Sequence, residues 1–222
     1  MQQKTLKINW DEIDTVLLDM DGTLLDLHYD DYFWQEYLPE RYGEVNHLKK
    51  EEAKKVLEPK FKKMEGTLEW YCLDFWSEEL QMNIPELKAE VAHLIAIHDG
   101  VIHFLESLHK SEKKAFLVTN AHQKVLELKM EKTKLDHMFD QIISSHQFKL
   151  PKENPEFWHK LVDEHYFDPE RTLFIDDNLD VLRSAQEFGI KHLVTIKKPS
   201  SHRPARNIKE FPALGSFYEL KV

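Results

Sequence analysis

Residues 16–25, VLLDMDGTLL, constrain this chain more than any other stretch. Val16, Leu17 and Leu18 have the character of a buried strand. Asp19 ends it, and Asp21 and Gly22 follow within three residues. A strand interior does not tolerate two carboxylates and a glycine, so the backbone turns here into a loop. In open parallel α/β sheets, ligands bind at the carboxyl ends of the strands. Two acids at one such end can hold a hard divalent cation through oxygen, and one of them can attack a phosphoryl group. Calcium loops share the letters Asp-x-Asp-Gly, but their full spacing, D-x-[DN]-x-[DN]-G-x5-E, is absent. The preceding strand also argues against a helix–loop–helix.

Further strands are expected at 115–119 (AFLVT), 139–144 (FDQIIS), 171–177 (RTLFIDD) and 192–195. Helical periodicity falls between them, at 100–109, 123–132, 155–165 and 179–188, the last stopped by Gly189. This alternation predicts an α/β fold, a Rossmann-like parallel sheet with crossover helices. The region 28–98 contains no convincing strand. It predicts a helix over 30–43 stopped near Pro39 and Gly43, and a charged helix over 45–64, whole or broken at Pro59. An aromatic helix over 67–82 and another opening at Pro85 complete it. The chain therefore divides into a discontinuous core, 1–27 plus 99–222, and an all-helical cap, 28–98, inserted after the first strand. Residues 197–209 are expected to be a basic, solvated surface loop, with a short helix after Gly215.

The chain has 222 residues, 41% hydrophobic and 32% charged, enough for a full core and without an apolar run of membrane-spanning length. The N-terminal residues lack the apolar centre of a signal peptide, and the single cysteine, Cys72, fits a reducing cytoplasm. The formal charge of −10 argues against polymeric nucleic acid as a partner. A small anion remains compatible if a metal and a few cations sit at its site. The sequence sets no oligomeric state.

Three strands end in polar residues: Asp19 and Asp21, Thr119 and Asn120, Asp176 and Asp177. Lys152 lies in the loop after the third strand. Taken singly, each has an ordinary explanation as a cap, a turn or a solvated side chain. Parallel strands share one carboxyl edge, however, so all of them can converge.

In that arrangement the chain resembles the haloacid dehalogenase superfamily of phosphohydrolases. Its four motifs match in order: DMDGT from Asp19, the strand ending at Thr119, KENP from Lys152, and FIDDN with the later Phe188–Gly189 pair. The resemblance implies Asp19 as a nucleophile forming an aspartyl-phosphate, and Asp21 as general acid and then base. Thr119 and the Asn120 N–H would hold phosphate oxygens, and Lys152 would neutralise charge. It implies Mg²⁺ held by Asp19, the Asp21 carbonyl and Asp177, with Asp176 beside it. Lys149 precedes Lys152 by three residues, but the Lys-x-x-Pro pattern selects Lys152. Counting four residues from Asp177 gives Val181, whereas counting from Asp176 gives Asp180, so both Asp176 and Asp180 stand as assistants at the metal. Dehalogenases of the superfamily lack an acid at the position of Asp21, which favours a phosphatase.

The aromatic insertion further resembles the bacterial GMP/IMP 5′-nucleotidases of the superfamily. This implies a small phosphorylated metabolite, a purine nucleotide, as substrate, with Trp34 and Trp70, and also Tyr32 and Tyr71, as candidates to stack on the base. The alternative role for these rings is the cap's own core. A phosphatase for sugar phosphates or phosphoglycolate, or a phosphomutase, would use the same catalytic residues. His122 is a candidate either for substrate contact or for capping the following helix.

Overall fold

The computed structural model describes residues 6–222. Six parallel strands form one sheet in the order β3-β2-β1-β4-β5-β6. They are β1 (Thr15–Leu18), β2 (Lys114–Thr119), β3 (Gln141–Ser144), β4 (Thr172–Ile175), β5 (His192–Ile196) and β6 (Ala213–Leu214). Strand β1 is central, with Leu18 level with Leu117 of β2 and Ile175 of β4. Both β1 and β4 are buried along their whole length, which is why they read as unbroken apolar runs. The parallel α/β architecture expected from the sequence is the one observed. Strand β6 was not legible, because two residues carry no periodicity.

Alternate strand residues feed two cores. Val16, Leu18, Leu117 and Ile175 face one cluster, and Leu17, Phe116, Val118 and Phe174 face the other. The first contains Val101 and Phe104 of helix α7 (Val101–Lys110) and Val125 and Leu126 of α8 (Gln123–Thr133). The second contains Phe157, Trp158 and Leu161 of α9 (Pro155–Glu164) and Val181, Leu182 and Ala185 of α10 (Leu179–Phe188).

Between Leu27 and His98 the described elements are all helical: α1 (His28–Tyr32), α2 (Leu38–Asn46), α3 (Lys50–Met64), α4 (Leu68–Tyr71), α5 (Leu73–Leu80) and α6 (Ile84–Glu90), with a short 3₁₀ turn at Ala92–Leu94. The two linkers run side by side, with an antiparallel bridge between Leu25 and Ile97. Asp26 N donates to Ala96 O and His98 N to Leu24 O, both at 2.9 Å.

Pro39 does not stop the first helix of this segment. A π turn over Phe33–Tyr37 precedes it, and Leu38 N–H donates to Phe33 O, five residues back. Pro39, which has no N–H, thereby falls at the start of α2, where none is required. Gly43 lies inside α2 because a Cβ there would meet Leu48 O at 2.7 Å. Helix α3 runs unbroken through Pro59. The aromatic helix, in contrast, breaks at Cys72, which is extended (φ −86°, ψ 110°) and whose Sγ accepts from Phe75 N at 3.4 Å.

Candidate active site

The site is built where β1, β2 and β4 end. Asp19 follows β1 directly and is buried; its N–H continues the ladder to Ile175 O at 3.0 Å. Lys152 reaches the same point from the loop after β3. Its Nζ donates to Asp19 Oδ1 at 2.5 Å, to Asp176 Oδ2 at 2.7 Å and to Val118 O at 3.0 Å. The loop is pinned at this residue, because Lys152 N donates to Asn120 Oδ1 at 2.9 Å and Trp158 Nε1 donates to Lys152 O at 3.1 Å. Burial favours a neutral amine, but the charges of Asp176 and Asp19 outweigh it and hold Lys152 protonated, above the ordinary lysine range. Lys149 is exposed and sits in a left-handed turn outside the site.

Asp176 and Asp177 follow β4. Asp176 also accepts from Asn178 N at 2.7 Å, and burial raises its carboxyl well above the usual range. Asp177 presses its carboxyl group against Gly22, where a Cβ would lie 2.8 Å from its Cγ. That close approach, with φ +81°, is why the loop after Asp21 needs glycine. Burial, then the neighbouring Asp19, push Asp177 up to about 7. Asp19, Asp176 and Asp177 each bring a carboxylate oxygen within 4.8 Å of the others. Three carboxylate oxygens gathered at one strand edge are the donor type that a hard divalent ion such as Mg²⁺ takes. Asp180 does not join them; it is exposed and pairs with Arg183 at 2.5 Å.

Thr119 is buried at the end of β2, and its Oγ1 accepts from Ala121 N at 3.0 Å. Asn120 beside it donates through Nδ2 to Glu153 at 2.9 Å. Asp21 turns away from the three acids toward Lys129 of α8, whose Nζ donates to Asp21 Oδ1 at 2.5 Å and to Asp30 Oδ2 at 2.6 Å. Burial and the charges of Asp30 and Asp19 raise Asp21 to about 6, against the opposing pull of Lys129. Lys88 of α6 completes this network. Its Nζ donates to Asp30 Oδ1 at 2.7 Å and sits over the rings of Phe33, Tyr29 and Trp34 at 4.5, 4.8 and 5.3 Å.

Trp34 and Trp70 are not brought to the acids. Each packs edge-on to Phe61 and Trp76, at centroid distances of 5.7 and 5.9 Å for Trp34 and 6.2 and 6.5 Å for Trp70. Tyr32 is spaced 6.3 Å from Tyr37 within the same helical segment. Tyr71 alone of these four extends to the sheet edge, where its hydroxyl donates to Glu153 Oε1 at 2.6 Å. His122 caps α8 through Nδ1, which accepts from Lys124 N at 3.4 Å.

Several site residues escaped the sequence reading. Lys129 and Lys88 gave one usable signal: each falls on the apolar face of its helix, Lys129 beside Val125, Leu126 and Met130, and Lys88 four residues after Ile84. Glu153, which gathers Tyr71, Asn120 and Asn178, gave none. The 197–209 segment is the basic surface loop expected, exposed at Lys198, Ser201–Ala205 and Lys209, but it is also anchored to the body of the protein. Ser200 is buried, Leu27 N donates to Pro199 O at 2.9 Å, and Arg206 donates to Asp177 O at 2.9 Å and Ile196 O at 2.6 Å, bracing the metal-type acids from behind.

The chain belongs to the haloacid dehalogenase-like hydrolase family, whose model matches residues 16–195. It is thus an enzyme, a hydrolase. It is 40% identical to the GMP/IMP nucleotidase YrfG of Escherichia coli K12 over 215 residues, 97% of each chain. Its fold is similar to that of an HAD phosphatase from Thermococcus onnurineus, with TM-score 0.77 and 20% identity over 93% of this chain and 95% of that one. It is also similar to the HAD hydrolase YfnB from Bacillus subtilis bound to magnesium, with TM-score 0.65 and 17% identity over 93% and 96%. Among the described residues, no helix is long and apolar enough to cross a membrane.

Proposed function

We propose that the protein is a Mg²⁺-dependent phosphomonoesterase of the reducing cytoplasm that hydrolyses purine nucleoside 5′-monophosphates, GMP and IMP, through an aspartyl-phosphate. The observation that carries the chemistry is the Asp19 carboxylate at the end of the central strand, gripped by the buried ammonium of Lys152, with Asp21 two residues on. The likeness to a GMP/IMP nucleotidase along 97% of both chains supports the substrate class.

In the first step an Asp19 carboxylate oxygen bonds to phosphorus while the phosphorus–O5′ bond breaks, and Asp21 gives its proton to the departing oxygen. In the second, water attacks phosphorus and loses its proton to Asp21, the bond to Asp19 breaks, and phosphate leaves. A carboxyl raised to about 6 both gives and takes a proton near neutrality. Lys152 and the Thr119–Asn120 corner hold the phosphoryl oxygens and offset their charge. Asp19, Asp177 and the Asp21 carbonyl, with Asp176 beside them, would hold Mg²⁺, which would supply further charge neutralisation. The base is assigned to the side of Tyr71, because there the helical segment reaches the catalytic edge through Glu153.

Phosphate release with Mg²⁺ is measured for GMP, IMP, AMP, UMP, phosphoglycolate, sugar phosphates and p-nitrophenyl phosphate. A preference for GMP and IMP is expected. A preference for sugar phosphates would retain the mechanism and overturn the substrate. Asp19→Asn should fold normally and release no phosphate; normal turnover by it would overturn the mechanism.

A further inference from the structure

A second group of metal-type donors lies at the seam between the helical segment and the sheet. Cys72 is the break between α4 and α5, His122 follows β2, and His146 follows β3. The Cys72 sulfur and a ring nitrogen from each histidine lie within 4.8 Å of one another. The two imidazoles meet edge to face, with centroids 5.1 Å apart. His146 Nε2 is buried and has no hydrogen-bond partner, an arrangement that costs free energy unless something fills it. The other nitrogen of the same ring meets the Asn120 main chain, the kind of outer contact that orients a metal-binding histidine.

The remaining details suit a cation as well. Burial favours the uncharged form of both rings. His122 Nδ1 is engaged only in the long 3.4 Å cap to Lys124 N, while its Nε2 lies 3.7 Å from Asp74 Oδ2. Coordination through Nε2 would exchange that weak cap for a metal bond, with Asp74 or water adjacent for the fourth position. One thiolate and two imidazoles suit Zn²⁺ and not Mg²⁺, which demands oxygen. Bonds of about 2.0 Å to nitrogen and 2.3 Å to sulfur require side-chain movements on the order of 1 Å to close the cluster.

We propose that Cys72, His122 and His146 form a binding site for a borderline, thiolate-accepting divalent cation, Zn²⁺, that clips the helical segment to the sheet. The thiolate comes from one side of the seam and both imidazoles from the other. Tyr71, next to Cys72, touches Glu153, and Asn120 supports His146, so an ion here fixes the helical segment over the catalytic edge. This site and the three-acid cluster would sort their metals by ligand hardness.

The test uses the whole protein with Mg²⁺ in large excess to fill the acid cluster, and Co²⁺ as the probe. One equivalent of Co²⁺ should give a thiolate-to-cobalt charge-transfer band with tetrahedral d–d bands, both bleached by stoichiometric Zn²⁺. Cys72→Ser, whose hydroxyl can still cap α5, should lose the charge-transfer band. His146→Gln should weaken binding at least tenfold and serves as an independent arm if Cys72→Ser does not fold. Zn²⁺ should raise the Tm of the wild type and not that of either folded variant. Absence of a charge-transfer band in the folded wild type, or an undiminished band in Cys72→Ser, would overturn the proposal.

Discussion

Replacing Lys129 by methionine removes one charge from the centre of a buried network while nearly preserving side-chain volume. Lys129 is 1% exposed in its side chain, and it is the cation that Asp21 and Asp30 share. Removing one partner of a buried ion pair costs about 3–5 kcal/mol, because the charge left behind keeps its desolvation penalty without its compensation. The two acids retain 24% and 19% of their side-chain exposure, so water screens them partly and the lower figure, about 3 kcal/mol, applies. For a chain of this size, each kcal/mol lowers Tm by roughly 2–4 °C, giving a loss of about 6–12 °C.

The pH dependence identifies the cause. Burial alone would raise Asp30, but Lys129 and Lys88 overcome it and hold the carboxyl below its ordinary value. Its pairing therefore adds stability above the unfolded pKa of 3.8, which disappears as pH falls through the lower folded value. In Lys129→Met the stranded acids can relieve the penalty by taking up protons, so the Tm deficit should be largest near pH 8 and shrink through about pH 6 and below. Adding Asp21→Asn should recover part of the loss, since Asp30 still has Lys88 as a partner. Differential scanning calorimetry of the three proteins across pH measures this. A deficit under about 2 °C, or one independent of pH, would refute the assignment of Lys129 as the charge that holds the network.

Gly22→Ala should weaken Mg²⁺ binding at least tenfold by isothermal titration, since its Cβ would lie 2.8 Å from the Asp177 carboxyl and φ is +81°; unchanged affinity would place the ion elsewhere. In the metal-free protein Asp177 titrates near 7 when folded against a model value of 3.8, so the folded state holds a proton that the unfolded chain has lost. The Tm of wild type relative to Asp177→Asn should therefore fall as pH rises from about 4 to about 7, and Mg²⁺ should stabilise most at the upper end; a rise over that window would contradict the raised carboxyl. Trp34→Ala and Trp70→Ala should each cost ~3 kcal/mol by opening the aromatic cluster, with KM for IMP within about twofold of wild type. A large KM increase with unchanged Tm would instead place that ring on the base.

Much of this molecule is determined locally. The runs VLLD, AFLVT and TLFIDD are apolar because both faces of a parallel strand are covered, so strand positions and the polar residues that end them are visible without a structure. Gly22 and the Lys-x-x-Pro of Lys152 are equally local. Tertiary structure decided what depends on neighbours distant in sequence. A π turn over residues 33–37 converts Pro39 from a helix stop into a helix start. Three aromatic partners make Lys88 a buried residue, and Asp21 with Asp30 do the same for Lys129. The same applies to the tryptophans: an aromatic ring has the same periodicity whether it packs inward or faces a ligand, and only the tertiary structure shows that Phe61 and Trp76 pack against both Trp34 and Trp70. Cys72, His122 and His146 are separated by 50 and 24 residues of sequence, and only the packing of the helical segment against the ends of neighbouring strands β2 and β3 brings their donor atoms together.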